Sequence, residues 1–333
     1  MRHTFWIPLV AAAIGFAQDG DIEALIAEKE IRKDLAFFAG DELEGRMAGQ
    51  PGAAKAAKFI LDAFKKAGLK PPPGMSSHSQ PFKFSPRMSV SSSGRLGDGE
   101  WQSENVLGWF EGSDAKLKEQ VVVIGAHFDH VGKAGDKANP GRSGGAVEGD
   151  EIFNGANDNS SGCSALLAIA RALGSGKIKT KRSLLLIAFA AEEQGLLGSR
   201  HYCASPAVPV ERTFAMLNMD SVGRMRDEKS GTVHVYQLRT SSAWQGIVEP
   251  IAAQAKVKCG FFQEPWPSGL SSDHVPFAAK KIKSIGFFTG VVPERHTPKD
   301  EADRVDFDGL TRIARLVLTL GCELADRADP LPD

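Results

Sequence analysis

The sequence predicts an α/β fold, a three-layer α/β/α domain in which helices flank a mixed, mostly parallel twisted sheet. Three observations carry that reading. Short unalternating apolar runs, Val121-Val122-Val123-Ile124, Leu184-Leu185-Leu186-Ile187-Ala188-Phe189 and Phe214-Ala215-Met216-Leu217, have the composition of parallel strands buried on both faces. Stretches with helix-period apolar positions lie before, between and after these runs. Each run leads within a few residues to His, Glu or Asp, and in open α/β sheets ligands collect outside the carboxyl ends of the strands. His127, Asp158, Glu192, Glu193, Asp220 and His296 are therefore expected to meet at one sheet edge as a metal site.

At 333 residues and 42% apolar, the chain can bury a substantial core, and one large domain over residues 18–333 is expected rather than two equal ones. A net charge of −1, with no long basic run, argues against a nucleic-acid or anionic-membrane partner. The first residues differ in character. Arg2 and His3 precede an apolar stretch from Phe5 to Ala13, and Gly15-Phe16-Ala17 offers the small residues a signal peptidase reads. Residues 1–17 are read as a secretory signal, so the mature protein is expected in the periplasm or outside the cell. No later segment has the ~20 apolar residues a membrane span needs. Cys163, Cys203, Cys259 and Cys322 are widely spaced and lack C-x-x-C, which fits buried thiols or one incidental bridge rather than a cysteine zinc site.

Along the chain, residues 21–38 and 51–67 carry helix-period apolar positions, the second opening at Pro51 and closing at Gly68. Pro71-Pro72-Pro73-Gly74 breaks the pattern, and residues 74–104 read as a small β-rich antiparallel excursion, too short to be a domain. Strand character resumes over 105–110. A Gly-, Lys- and Asp-rich loop over 132–153 joins two ligand-bearing elements and is expected near the site entrance. Helices are expected over 160–174, 194–203, 242–256 and 308–327, and strands near 232–238 and 284–289.

The chemistry rests on particular neighbours. His127 and Asp129 stand two apart at a strand end and point the same way if the chain stays extended. A ligating imidazole usually hands its other N–H to a carboxylate, a part Asp129 could take, while His130 next door complicates the choice of ligand. Alone, such an H-x-D pair is more often structural. Asn157-Asp158-Asn159-Ser160-Ser161-Gly162 could be a helix cap, but a cap uses one or two polar residues, not this run. Glu192-Glu193 is the most telling local feature. Two adjacent carboxylates after a buried strand repel each other unless something cationic compensates, although an acidic first helical turn is the plainer alternative. Two His and three carboxylates form a hard-to-borderline donor set that suits paired Zn²⁺, and less selectively Co²⁺ or Mn²⁺.

The segments at 125–132 (Gly-Ala-His-Phe-Asp-His-Val-Gly), 155–162 (Gly-Ala-Asn-Asp-Asn-Ser-Ser-Gly), 190–199 (Ala-Ala-Glu-Glu-Gln-Gly-Leu-Leu-Gly-Ser), Asn218-Met219-Asp220 and Ser272-Asp273-His274 resemble the ordered motifs of metallopeptidase family 28, the co-catalytic zinc aminopeptidases of clan MH. The resemblance runs from about Asp41-Glu42-Leu43-Glu44-Gly45-Arg46 to the final helix. It implies a di-zinc aminopeptidase acting on peptides with free N-termini, which the signal segment would make a secreted one. It further implies that Asp158 bridges two zinc ions, that His127 and Asp220 bind one and Glu193 and His296 the other, and that Glu192 is the general base. Asp129 would support His127, and Asp273 would lie near the metals. The stretch before residue 120 is too short for the protease-associated insertion that some members carry. Phe261, Phe262, Trp266 and Pro267 could line a side-chain pocket or form an ordinary hydrophobic tuck. A single-zinc glutaminyl cyclase-like enzyme and a non-catalytic peptide-binding relative are the alternatives, and a monomer is the expected state.

Overall fold

The computed structural model describes residues 19–85, 99–134, 149–224, 232–238, 243–262 and 271–331. The expected signal segment, most of the loop after Gly132, and Trp266-Pro267 lie outside them. Eight strands form one sheet: β1 (Ser79–Phe84), β2 (Trp101–Phe110), β3 (Val121–His127), β4 (Ser183–Phe189), β5 (Thr213–Met219), β6 (Thr232–Leu238), β7 (Lys258–Phe262) and β8 (Ser284–Phe288). Their spatial order is β1-β2-β4-β3-β5-β8-β6-β7. The central four strands, β4-β3-β5-β8, are mutually parallel, as are β6 and β7. The β1–β2, β2–β4 and β6–β8 pairs are antiparallel. The β-rich excursion expected over 74–104 supplies β1 and the start of β2, so it extends the edge of this same sheet.

The apolar runs are strands because both of their faces are covered. Every residue of β3, β4 and β8 is buried. Successive side chains alternate between two packed layers. Val122, Ile124, Leu184, Leu186, Ala215 and Leu217 face one core, and Val121, Val123, Leu185, Ile187 and Met216 face the other. Over the first face lie α1 (Asp19–Leu25), α2 (Glu28–Phe38), α3 (Pro51–Lys66), α4 (Gly162–Leu173), α6 (Ala243–Gln254) and α8 (Phe307–Asp326). The shorter α5 (Leu197–Ala204) and α7 (His274–Ala279) supply Tyr202, Cys203 and Phe277 to the second.

Three expectations shift. The helix expected over 21–38 is two helices, α1 and α2. The segment expected as a helix from 194 begins only at Leu197, because Gly195 (φ 112°) and Leu196 (φ 59°) are left-handed and hold Glu192–Leu196 in a turn. The aromatic stretch at Phe261 and Phe262 ends β7, an edge strand paired to β6 in which Phe262 is exposed. Chain order also places the site. The connection from β3 through α4 leads to β4 on one side, and β5 then crosses to the other side of β3. That reversal opens the crevice where doubly wound sheets bind ligands.

Candidate metal centre

The sheet brings together the residues expected to meet. His127 ends β3, Glu192 and Glu193 follow β4, Asp220 follows β5, and His296 lies in the loop after β8, so four adjacent parallel strands deliver them to one edge. Asp158 arrives from the irregular turn that opens α4. Two groups of donors result, with Asp158 common to both. His127, Asp158 and Asp220 offer atoms within 4.8 Å of one another, and so do His130, Asp158, Glu193 and His296.

The turn carrying Asp158 is held by its neighbours. Asn157 Oδ1 accepts the Gly223 N–H at 2.8 Å, and Ser161 Oγ accepts the Val222 N–H at 3.0 Å. Asn159 accepts the N–H groups of Gly162 and Ser221 and donates to the Met219 carbonyl. The polar run thus joins the start of α4 to the segment leaving β5, which is why it is longer than a cap requires. Gly155 is left-handed (φ 55°), and a Cβ there would stand 2.3 Å from the Asp158 carbonyl oxygen and 2.5 Å from the His130 ring.

Asp129 binds the glutamate turn. Its Oδ1 accepts the Glu192 N–H at 3.0 Å and its Oδ2 the Glu193 N–H at 3.3 Å. Toward His127 its carboxylate stands 3.8 Å from Nδ1, while its backbone carbonyl lies closer, at 3.2 Å. Asp220 Oδ1 accepts the Ser221 hydroxyl at 3.0 Å. Asp273 is buried, and that burial pushes its carboxyl up to about 7.

The donor chemistry fits metal ions. His127 Nε2 is 3.5 Å from Asp158 Oδ1 and 3.6 Å from Asp220 Oδ1, too far or too poorly aligned for hydrogen bonds. Both His127 Nε2 and Asp158 Oδ1 are buried without a hydrogen-bond partner among the described residues. Two donors on one tetrahedral zinc are separated by about 3.4 Å, from bonds of ~2.05 Å. In the second group, His296 Nε2 stands 2.9 Å from Glu193 Oε1 and 3.0 Å from Asp158 Oδ2. Buried carboxylates of Asp129, Asp158, Glu192, Glu193, Asp220 and Asp273 crowd here, and a cluster so acidic is costly without cations.

The protein alone already divides these groups. Burial, the Glu193 charge and Asp220 raise Glu192 well above the usual carboxylate range. Burial acts on Glu193 too, but His296 and His130 outweigh it and hold that carboxyl well below the range. Asp158 is likewise held low, the Arg295 guanidinium at 2.9 Å and His296 overcoming burial. Burial opposes a charge on His127, yet Glu192, Asp220 and Asp158 raise it well above its ordinary value. Adjacent carboxyls pushed apart in this way mark an acid–base pair. The acidic-first-turn explanation of Glu192-Glu193 fails, because α5 has no acidic residue in its first turn.

Four further residues surround the site, of which Asp300 and Arg295 gave no separate sequence signal. Asp300 accepts the backbone N–H groups of Asn157 and Asp158. Arg46, wholly buried, donates to the carbonyls of Phe38, Phe128, Asn154 and Gly155. Arg295 flanks Asp158, and His130 joins the Glu193 group. Arg46 closes the Asp41-to-Arg46 segment and His130 lies in the 125–132 motif, whereas Asp300 and Arg295 are single residues whose partners lie far along the chain.

The profile of peptidase family M28 matches residues 105–321. The chain belongs to that family. Aminopeptidase YwaD of Bacillus subtilis is 32% identical over 222 residues, 65% of this chain and 43% of the relative. A probable leucine aminopeptidase of Arthroderma otae is 28% identical over 241 residues, 68% of this chain and 58% of the relative. The chain thus spans about half the length of the curated relatives it matches. Among solved structures, an aminopeptidase from an Aneurinibacillus species superposes with TM-score 0.71 at 19% identity, over 95% of this chain and 98% of that one. A zinc aminopeptidase from Bacillus subtilis gives TM-score 0.67 at 19% identity, over 92% and 98%. At such identities these likenesses concern the fold.

Proposed function

We propose that this family M28 chain is an exported, zinc-dependent aminopeptidase that binds two Zn²⁺ ions and removes N-terminal residues from peptides. The observation that carries the reading is Asp158, buried and shared between two donor groups, one with His127 and Asp220 and the other with Glu193 and His296. Co²⁺ or Mn²⁺ would be substitute ions. When bound, the ions supply Lewis acidity and acidify the attacking water. The rest falls to the chain. Asp158, His127, Asp220, Glu193 and His296 would hold the ions, and Asp129 fixes the turn of both glutamates through their N–H groups. Glu192 is the base, whose carboxylate takes a proton from the water and returns it to the leaving amine.

Support comes from the raised affinity of Glu192 for a proton beside a neighbour that stays ionised. The names of the matched relatives point to the same reaction. Export rests on the charged, apolar and small residues of positions 1–17, and among the described residues no helix is long and apolar enough to cross a membrane. The test uses purified protein and aminoacyl chromogenic substrates. Chelation should abolish hydrolysis and zinc restore it, while Glu192→Gln should lower kcat by about 10²- to 10⁴-fold with metal content unchanged. Activity indifferent to chelation, or a fully active Glu192→Gln enzyme, sinks the proposal. Fractionation of cells expressing the full chain checks export.

A further inference from the structure

We infer that His130 is a metal ligand, a fourth protein donor to the ion held by Glu193, His296 and the shared Asp158. The inference rests on the two-metal reading above and adds a residue to it. His130 follows Asp129 directly, at the end of the segment that leaves β3. Its ring is buried, with Nδ1 3.1 Å from Glu193 Oε1 and its centroid 5.4 Å from that of His296 at an interplanar angle of 65°. Its donor atom lies within 4.8 Å of donors from Asp158, Glu193 and His296.

The surroundings hold that ring in place. The His130 N–H donates to the Arg46 carbonyl at 3.2 Å, and Met47 pairs with His130 as an isolated bridge. Gly155 leaves the space the ring occupies, since any Cβ there would collide with it. An imidazole kept only for packing would need hydrogen bonds for its buried nitrogens. Instead Nε2 has none among the described residues, and Nδ1 meets only the Glu193 carboxylate, in the same cluster of donors as Asp158 and His296. The plainer role, an Nδ1–H donated to Glu193 to orient it, would leave His130 outside the coordination shell.

A fourth donor makes the two positions unequal. The Glu193 position would have two imidazoles, one carboxylate and the bridge, close to a filled tetrahedral shell. The Asp220 position would have one imidazole, one carboxylate and the bridge, with room for water and substrate. Filled shells retain zinc as structural sites do, while three-donor sites stay open for chemistry. The Glu193 position should therefore fill first and exchange slowly.

Metal-free protein titrated with Co²⁺, followed by calorimetry and visible absorption, tests this. Wild type should take two ions in separate steps, and His130→Ala and His130→Gln should weaken the first step by about tenfold or more and change its spectrum. In the Co²⁺-loaded wild-type protein, proton NMR should show three paramagnetically shifted imidazole N–H signals, from His127, His130 and His296. That readout needs no variant, so a variant that fails to fold does not block the test. Two such signals, or variants that bind both ions with unchanged affinity and spectrum, overturn the role of His130 while leaving the two-metal reading intact. A wild-type protein that binds no second ion overturns that reading itself.

Discussion

The carboxylate of Asp300 holds the backbone of Asp158: its Oδ2 accepts the Asp158 N–H at 3.0 Å, and its Oδ1 accepts the Asn157 N–H at 2.9 Å. The Asp300 carbonyl also accepts the Ala156 N–H at 2.9 Å. Three bonds from one residue thus fix the turn that presents the shared carboxylate. In Asp300→Asn one oxygen is replaced by an NH₂ that must face a backbone N–H. The expected outcome is a loss of zinc affinity of about 10- to 100-fold, with activity recovered at saturating zinc. Zinc titration of both proteins checks it, and equal affinities would remove Asp300 from the metal site's support.

Arg46 does comparable work on a larger scale. Its guanidinium reaches carbonyls at the end of α2, behind His127, and on the approach to Asp158. Burial pushes its pKa down, and the charges of Asp129, Asp300 and Asp158 push it up, so the cation is partly balanced by the site it braces. Arg46→Met would leave several buried carbonyl oxygens without a donor. Unfolding in urea should show a loss of about 3 kcal/mol or more. Arg46→Lys should recover only part of it, because an ammonium cannot span the same carbonyls.

These two residues explain what was legible in the sequence. Val121-Val122-Val123-Ile124 and Leu184-Leu185-Leu186-Ile187 announce strands because central parallel strands admit little but apolar side chains. Lys258–Phe262 does not, since an edge strand with mostly half-exposed residues carries no such constraint. The six-residue α7, with Pro276 inside it, is too short to show a helical period. His127, Glu192, Glu193 and Asp220 were readable because each follows a strand. The side chains of Asp300 and Arg46 act on backbone groups as far as 143 and 109 positions away, and a backbone partner leaves no mark in residue identity.

The four cysteines are free thiols, so the incidental bridge left open by their spacing does not form. Cys163 shows why thiols are accommodated: its Sγ donates to the His127 carbonyl at 3.0 Å, packed behind β3. Burial pushes each of the four thiols up to about 12. Because the thiolate is the reactive form, native protein at pH 8 should react with a disulfide reagent at least about a hundredfold more slowly than a free cysteine. Denaturant should release all four. Rapid native labelling of Cys163 would contradict the packing described.

Metal removal should make stability fall as pH rises above 6.5. In the metal-free protein His127 and His296 bind their protons more tightly than the unfolded chain does, whose histidines titrate near 6.5. Their stabilisation is complete below that value and is lost as pH climbs through the folded values. Asp273, at about 7, and Glu192, raised well above its ordinary value, act in the same direction, because the unfolded chain has released those protons by pH 6.5 while the fold still holds them. His130 and His274, pushed down to about 4 by burial, oppose this only between about 4 and 6.5. Zinc inverts the slope, since it binds deprotonated ligands and its stabilisation grows with pH. At pH 8, free zinc 100-fold above Kd should add about 2.7 kcal/mol for each ion bound, or roughly 5 °C in Tm per ion. Thermal unfolding at pH 6.5 and 8, with chelator and with zinc, measures all four corners; a metal-free Tm that rises between those pH values would refute the assignment of charges in the cluster.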